Sequence, residues 1–241
     1  MITRRMFLTL TGGAIVMTFA RQSSAVVPAV PPMLDHILLG CSDLDQGIAF
    51  VEQHTGVRPA IGGVHPGRGT RNALLSLGKL HYLEVIAPDT AQASLAASAP
   101  SMLYTLRHLD TPRIVTWAAH TNDIEALAAK LRKATVAFEG PNPGSRKRPD
   151  GQMLHWQTLN LNDDQNGMLP FFIQWGAGSV HPSADAPSGC ELENFAATTP
   201  DPQALLNSYR QLGLLVDVER GTKAALKAMI TGPRGTLDLG S

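Results

Sequence analysis

Two ionisable residues stand inside apolar runs, where charge is costly. His36 lies in "LDHILLG" and Glu84 in "YLEVIA". A carboxylate in an apolar strand costs several kcal/mol unless it is paired or bound to a metal. Period-two alternation puts His36, Leu38 and Gly40 on one face of the first run, and Tyr82, Glu84 and Ile86 on one face of the second. An imidazole and a carboxylate brought together serve either as half of a divalent-metal site or as an acid–base pair. The charge of Glu84 would then be balanced by a metal, by a basic group of a substrate, or by a buried arginine such as Arg71 or Arg146.

The loop "GGVHPGRGTRN" precedes Glu84 and offers His65, Arg68, Thr70 and Asn72. Its glycines permit positive φ and expose backbone N–H groups. Such a loop suits an anionic or polyoxygenated small ligand, and it also reads as a hairpin held by Asn and Thr side chains. The glycine spacing fits neither a dinucleotide fingerprint nor a phosphate loop. A second loop, "EGPNPGSRKRPDGQ", carries Arg146, Lys147 and Arg148, and the runs after it carry His155, Gln174 and four aromatic residues, Trp156, Phe171, Phe172 and Trp175. His181 sits in a following loop and reads as structural. No G-x-S-x-G elbow, H-E-x-x-H helix, C-x-x-C pair or Walker loop is present.

These residues need elements to position them. Three segments open alike, near residues 34, 112 and 190, each with an apolar strand, a Ser/Thr/Asn/Asp/Pro cluster and an amphipathic helix. Asp43, Asp123 and Asp201 mark three helix N-caps, spaced 80 and 78 residues apart. Antiparallel strand signals follow each helix, with "DDQNG" as a hairpin turn in the second unit. The third unit is shorter, reads as βαββ, and would cap the sheet edge left by the second. The class is α+β, with helices covering one face of curled mixed sheets.

The first 25 residues stand apart. Paired Arg4 and Arg5 precede "MFL" and a short apolar run that ends at Ser23-Ser24-Ala25, the pattern of a twin-arginine export signal. An ordinary secretory signal or an uncleaved anchor is the alternative. Residues 26–32 read as an extended linker. Cleavage leaves a net charge of about −3, which gives no reason to expect a nucleic-acid partner. The destination is the periplasm or the exterior, with the twin-arginine translocase as an export partner and no stable membrane span in the mature chain. Cys41 and Cys190 could pair there, though Cys41 at a strand end reads as a buried free thiol.

The combination "LDHILL", "HPGRGTRNALLSLG", "YLEVIAPD" and "LPFFIQWG…HPS" resembles the glyoxalase-like members of the vicinal oxygen chelate superfamily over residues 33 to 182. The resemblance implies two βαβββ modules, at about 33–90 and 112–178, curled around a cleft, with residues 190–241 packed on them. It implies one divalent metal (Zn, Fe, Mn or Ni), with His36 and Glu84 as ligands and catalytic residues. His65, Arg68, Thr70, Asn72, Tyr82, His155 and Gln174 would then line the substrate site. The second module offers Thr116 or Trp117 and Gln174 where ligands are expected, a degraded half-site. Two functions follow. One is a lyase or isomerase of glyoxalase-like type acting on a small oxygenated substrate. The other is a metal-free protein that binds and sequesters a small molecule. Members of the superfamily often pair modules between chains, so a homodimer is an expected form.

Overall fold

A computed structural model describes residues 28–95, 101–148 and 150–241. The export signal expected at residues 1–25 lies outside the described residues.

The first module runs β1 (Leu34–Gly40), α1 (Leu44–Thr55), β2 (Ala60–His65), β3 (Thr70–Ser76) and β4 (Tyr82–Pro88). A short helix, α2 (Met102–Arg107), leads to the second module: β5 (Arg113–His120), α3 (Ile124–Lys133), β6 (Phe138–Lys147), β7 (Met153–Leu161) and β8 (Phe171–Trp175). The third unit is β9 (Glu191–Thr199), α4 (Pro202–Leu212), β10 (Asp217–Arg220), β11 (Ala225–Gly232) and β12 (Gly235–Gly240).

The three expected caps form. Asp43, Asp123 and Asp201 accept from the backbone N–H of Gln46, Ala126 and Ala204, one turn into α1, α3 and α4. Gly56 ends α1 at φ 82°, a left-handed position that favours glycine.

The two modules share one mixed eight-stranded sheet in the order β2-β3-β4-β1-β5-β8-β7-β6. β1 pairs in parallel with β4, β5 pairs in parallel with β8, and the modules join where β1 meets β5 antiparallel. The sheet curls until its two rims touch, with Gly63 of β2 against Arg146 of β6. The stretch "EGPNPGSRK", expected as loop, is strand here. β6 tolerates Pro141 and Pro143 because it is a rim strand with one unpaired side. Likewise Gly62 to His65 belong to β2.

Helices α1 and α3 cover the convex face and build the main core with Ile37, Leu39, Leu83, Val85, Trp117 and Phe172. The concave face stays partly open. Helix α2 fills one end of it, where Leu106 and Leu109 pack on Leu38 and Ile86.

The third unit forms its own sheet, β10-β9-β11-β12, with β10 parallel to β9. It does not cap an edge of the large sheet. Its strands β11 and β12 pack on α1, and the Phe195 ring meets Trp117 at a tilt, with centroids 5.1 Å apart. Tyr209 of α4 donates to Met168 O at 2.9 Å. The described part of the expected linker is tied down as well, with Phe195 N donating to Ala29 O. Cys41 and Cys190 are free and buried, and burial pushes the Cys41 thiol up to about 12. Among the described residues no helix is long and apolar enough to cross a membrane.

Candidate active site

The concave face gathers the polar residues the sequence singles out. His36 and Glu84 are 2% and 7% exposed. They sit on neighbouring strands, β1 and β4, with His36 Nε2 3.4 Å from Glu84 Oε2. Neither Arg71 nor Arg146 forms an ion pair with Glu84 among the described residues; its charged partner is His36. Asn72, across β3, donates to Glu84 Oε1 at 2.7 Å. The Tyr82 ring stacks on His36 at 4.4 Å and 19°. His65, at the end of β2, brings Nε2 to 3.7 Å from Glu84 Oε1 and Nδ1 to 2.8 Å from Thr70 Oγ1.

One member is new. Strand alternation puts Asp35 on the opposite face from His36, yet Asp35 Oδ1 is 2.7 Å from His36 Nδ1. The β1–β5 register shifts between Leu34 and His36, and this bulge turns Asp35 to the concave side. The other Asp35 oxygen receives Trp175 Nε1–H at 3.0 Å and lies 3.3 Å from His181 Nε2. Trp175 and His181 therefore belong to the site's support. The available signal was an aspartate beside the histidine in an otherwise apolar strand.

Two expected site residues point elsewhere. Gln174 lies on the convex face, where its Oε1 accepts the Ile124 N–H at 2.7 Å and closes the start of α3. His155 is exposed on the face of β7 opposite Trp156. The cleft-facing residues of β7 and β8 are Trp156, Thr158, Phe171, Ile173 and Trp175, because Trp156 and Thr158 register against Trp175 and Ile173. Arg68 sits exposed in the β2–β3 turn, near enough for its charge to act on His65.

The electrostatics follow from this wiring. Burial disfavours the His36 imidazolium, but hydrogen bonds and charge from Asp35 and Glu84 outweigh it and raise its pKa to about 9. Burial also pushes Glu84 up, but the hydrogen bond with His36, the charges of His65 and His36, and Asn72 together hold it at about 2. Asp35 is held ionised against its burial by His181 and His36. His65 goes the other way. Burial lowers it, the Glu84 charge opposes that, and Arg146, Arg68 and His36 lower it further. The pattern is a buried imidazolium between two carboxylates, with a neutral imidazole beside it.

The resemblance implied a cleft metal. Among the described residues no group of three His, Cys, Asp or Glu side chains could hold an ion. His36, Glu84 and His65 are the donors, all from the first module, and the neighbouring strands of the second module, β5 and β8, supply Thr116, Phe171 and Ile173. The residues present do not fit a metal ligated from both modules. A surface cavity of about 340 Å³ lies elsewhere, lined chiefly by Ser76, Gly78, Ser188, Gly189 and Thr231, and holds no comparable cluster.

The sequence model of the glyoxalase-like domain matches residues 34–213, most of the chain. The chain belongs to the glyoxalase-like domain family. Among solved structures, a hypothetical protein from Staphylococcus aureus is 19% identical, with a TM-score of 0.62 over 79% of this chain and 87% of that one. Methylmalonyl-CoA epimerase in complex with methylmalonyl-CoA and NH4+ is 22% identical, with a TM-score of 0.44 over 62% of this chain and 99% of that one. The epimerase from Mycobacterium tuberculosis is 18% identical, with a TM-score of 0.42 over 63% and 92%. No curated protein matches. The family match shows the glyoxalase-like domain, and the likeness to the Staphylococcus aureus protein is one of fold.

Proposed function

We propose that this is an exported glyoxalase-like enzyme that moves a proton on a small, oxygenated, anionic substrate held against the concave face. The observation that supports this most is the pairing of a neutral His65 with a charged His36 across one carboxylate. In the tautomer that fits its neighbours, Thr70 Oγ1 accepts from Nδ1–H of His65, so Nε2 carries the lone pair and can take a proton. Asn72 Nδ2, 3.4 Å from that nitrogen and bonded to Glu84, holds the two groups in register. The His36 imidazolium, fixed by Asp35 and Glu84, supplies positive charge beside an oxyanion as it develops. Glu84, with its pKa near 2, is a poor base and acts by holding His36 charged. Export is supported by the twin-arginine pattern at Arg4 and Arg5.

A second reading is a sequestering protein. It is favoured by Asn72 Oδ1 and Thr158 Oγ1, buried on the concave face without hydrogen-bond partners among the described residues. A bound ligand would satisfy both without any reaction.

The test is deuterium exchange at the carbon next to the carbonyl or hydroxyl of small 2-oxo and 2-hydroxy acids, followed by proton NMR. Exchange that disappears in His65→Ala supports the enzyme. Ligand-induced shifts without exchange for any member of the panel leave the sequestering protein.

A further inference from the structure

We propose that Arg146 is the anion receptor of the concave face, exchanging its bond to Gly62 O for the carboxylate of a small monocarboxylate ligand. The inference rests on the reading that the cleft takes a small anionic molecule. Arg146 is 5% exposed, yet among the described residues it has no ion pair, and its hydrogen bond goes to the carbonyl of Gly62 on the facing rim. A guanidinium carries five donors and stays charged. Among the described residues Nη1 is the guanidinium nitrogen that has a hydrogen-bond partner, and Nε and Nη2 have none. A buried charge left in this state is costly unless something completes it.

The surroundings are built for it. Register against Leu154, beside the Gly144–Trp156 pair, puts Arg146 on the cleft side of β6. Gly63, at φ 145°, makes room, since a Cβ there would stand 3.2 Å from Arg146 Cδ and Nη1. Glu84 and Asp185 are the carboxylates whose charges reach the guanidinium, with Arg148 opposing them, and the neutral Tyr82 hydroxyl has no hydrogen-bond partner among the described residues.

The charge balance selects the class. His36 lies between the carboxylates of Asp35 and Glu84, and Arg148 pairs with Asp185, so Arg146 is the buried cation here that has no ion-pair partner among the described residues. A monoanion adds one charge, whereas a phosphate dianion adds two beside two carboxylates at low dielectric. A planar carboxylate also matches the guanidinium fork with two parallel hydrogen bonds.

Calorimetric titration of the full chain with glycolate, lactate and pyruvate, and with inorganic phosphate, tests this. Arg146→Met should weaken the best carboxylate by at least about tenfold, Arg146→Lys should weaken it less, and Lys147→Met, on the other side of the strand, should leave it unchanged. Phosphate binding more tightly than every carboxylate overturns the proposal. So does unchanged carboxylate affinity in Arg146→Met, or a wild type that binds no carboxylate of the panel. If Arg146→Met does not fold, the wild-type Arg146 side-chain Nε–H resonance decides. It should shift on carboxylate titration, and its indifference while ligand binds refutes the assignment. Carboxylate binding through Arg146 without deuterium exchange keeps this receptor and removes the enzyme reading. Exchange that survives Arg146→Met does the reverse.

Discussion

Neutralising His36 should destabilise the fold more than removing most buried side chains of its size. His36→Gln leaves the Asp35 and Glu84 carboxylates facing each other's field with no cation between them, a loss of about 3–5 kcal/mol. Chemical denaturation of the variant beside wild type measures it. The pH dependence has a definite sign. The His36 pKa rises from 6.5 to about 9 on folding, so its contribution is complete below 6.5 and is lost as pH climbs through 9. The Glu84 pKa falls from 4.5 to about 2, so its contribution is complete above 4.5 and is lost as pH drops through 2. The cluster is therefore most stabilising between about pH 4.5 and 6.5, and in His36→Gln the alkaline decline attributable to this residue should vanish. Exchange activity should rise as His65 deprotonates, below the usual histidine range, and fall again near pH 9 as His36 loses its proton. At this scale much of the site was legible. His36, Glu84, Asn72, Thr70, His65 and Tyr82 all meet on one face because alternation within regular strands was enough to place them. Asp35 was hidden because a bulge breaks that alternation. Gln174 and His155 were assigned to the wrong face because a strand read one residue out of phase presents every side chain to the other side.

The elements are fixed by local chemistry that can be removed piece by piece. Asp43→Ala and Asp123→Ala should each cost about 0.5–2 kcal/mol by freeing a first-turn N–H. Gln174→Ala should cost about 1 kcal/mol through the Ile124 N–H, and leave ligand affinity unchanged because the side chain faces away from the cleft. Thermal or denaturant midpoints check the first pair, and calorimetric titration checks the last. The repeat of strand, cap and helix made these elements readable from aspartate spacing alone. Helix α2 was not readable: it is six residues long, and it is held in place by Leu103, Leu106 and Leu109 packing on the concave face. β6 was missed because its prolines and glycines carry the composition of a loop, and only the pairing with β7 makes it a strand.

Across the whole molecule one apolar core runs through both sheets, from Ile37 and Trp117 to Phe195, Tyr209 and Leu237. Phe195→Ala should therefore destabilise the entire chain by about 3–5 kcal/mol, with one shared transition rather than early loss of the third unit. Fluorescence of Trp117, which lies in the large sheet, would report it. The three-part plan of the chain was legible from its internal repeat. The way the third unit lies over α1, rather than along an edge of the sheet, was not, because face-to-face packing leaves no periodic mark in the sequence.

The touching rims of the large sheet have a consequence for solution behaviour. β2 and β6 each have one side without a strand partner, and each shields the other where Arg146 reaches Gly62. Exposed backbone of that kind templates the addition of a strand from another molecule. Parting the rims to admit a ligand would bare it, next to Ile61 and Val64, which already face solvent. Entry and aggregation would then compete for the same opening, and a ligand that lets the rims close again would act as a chaperone for its own binding protein.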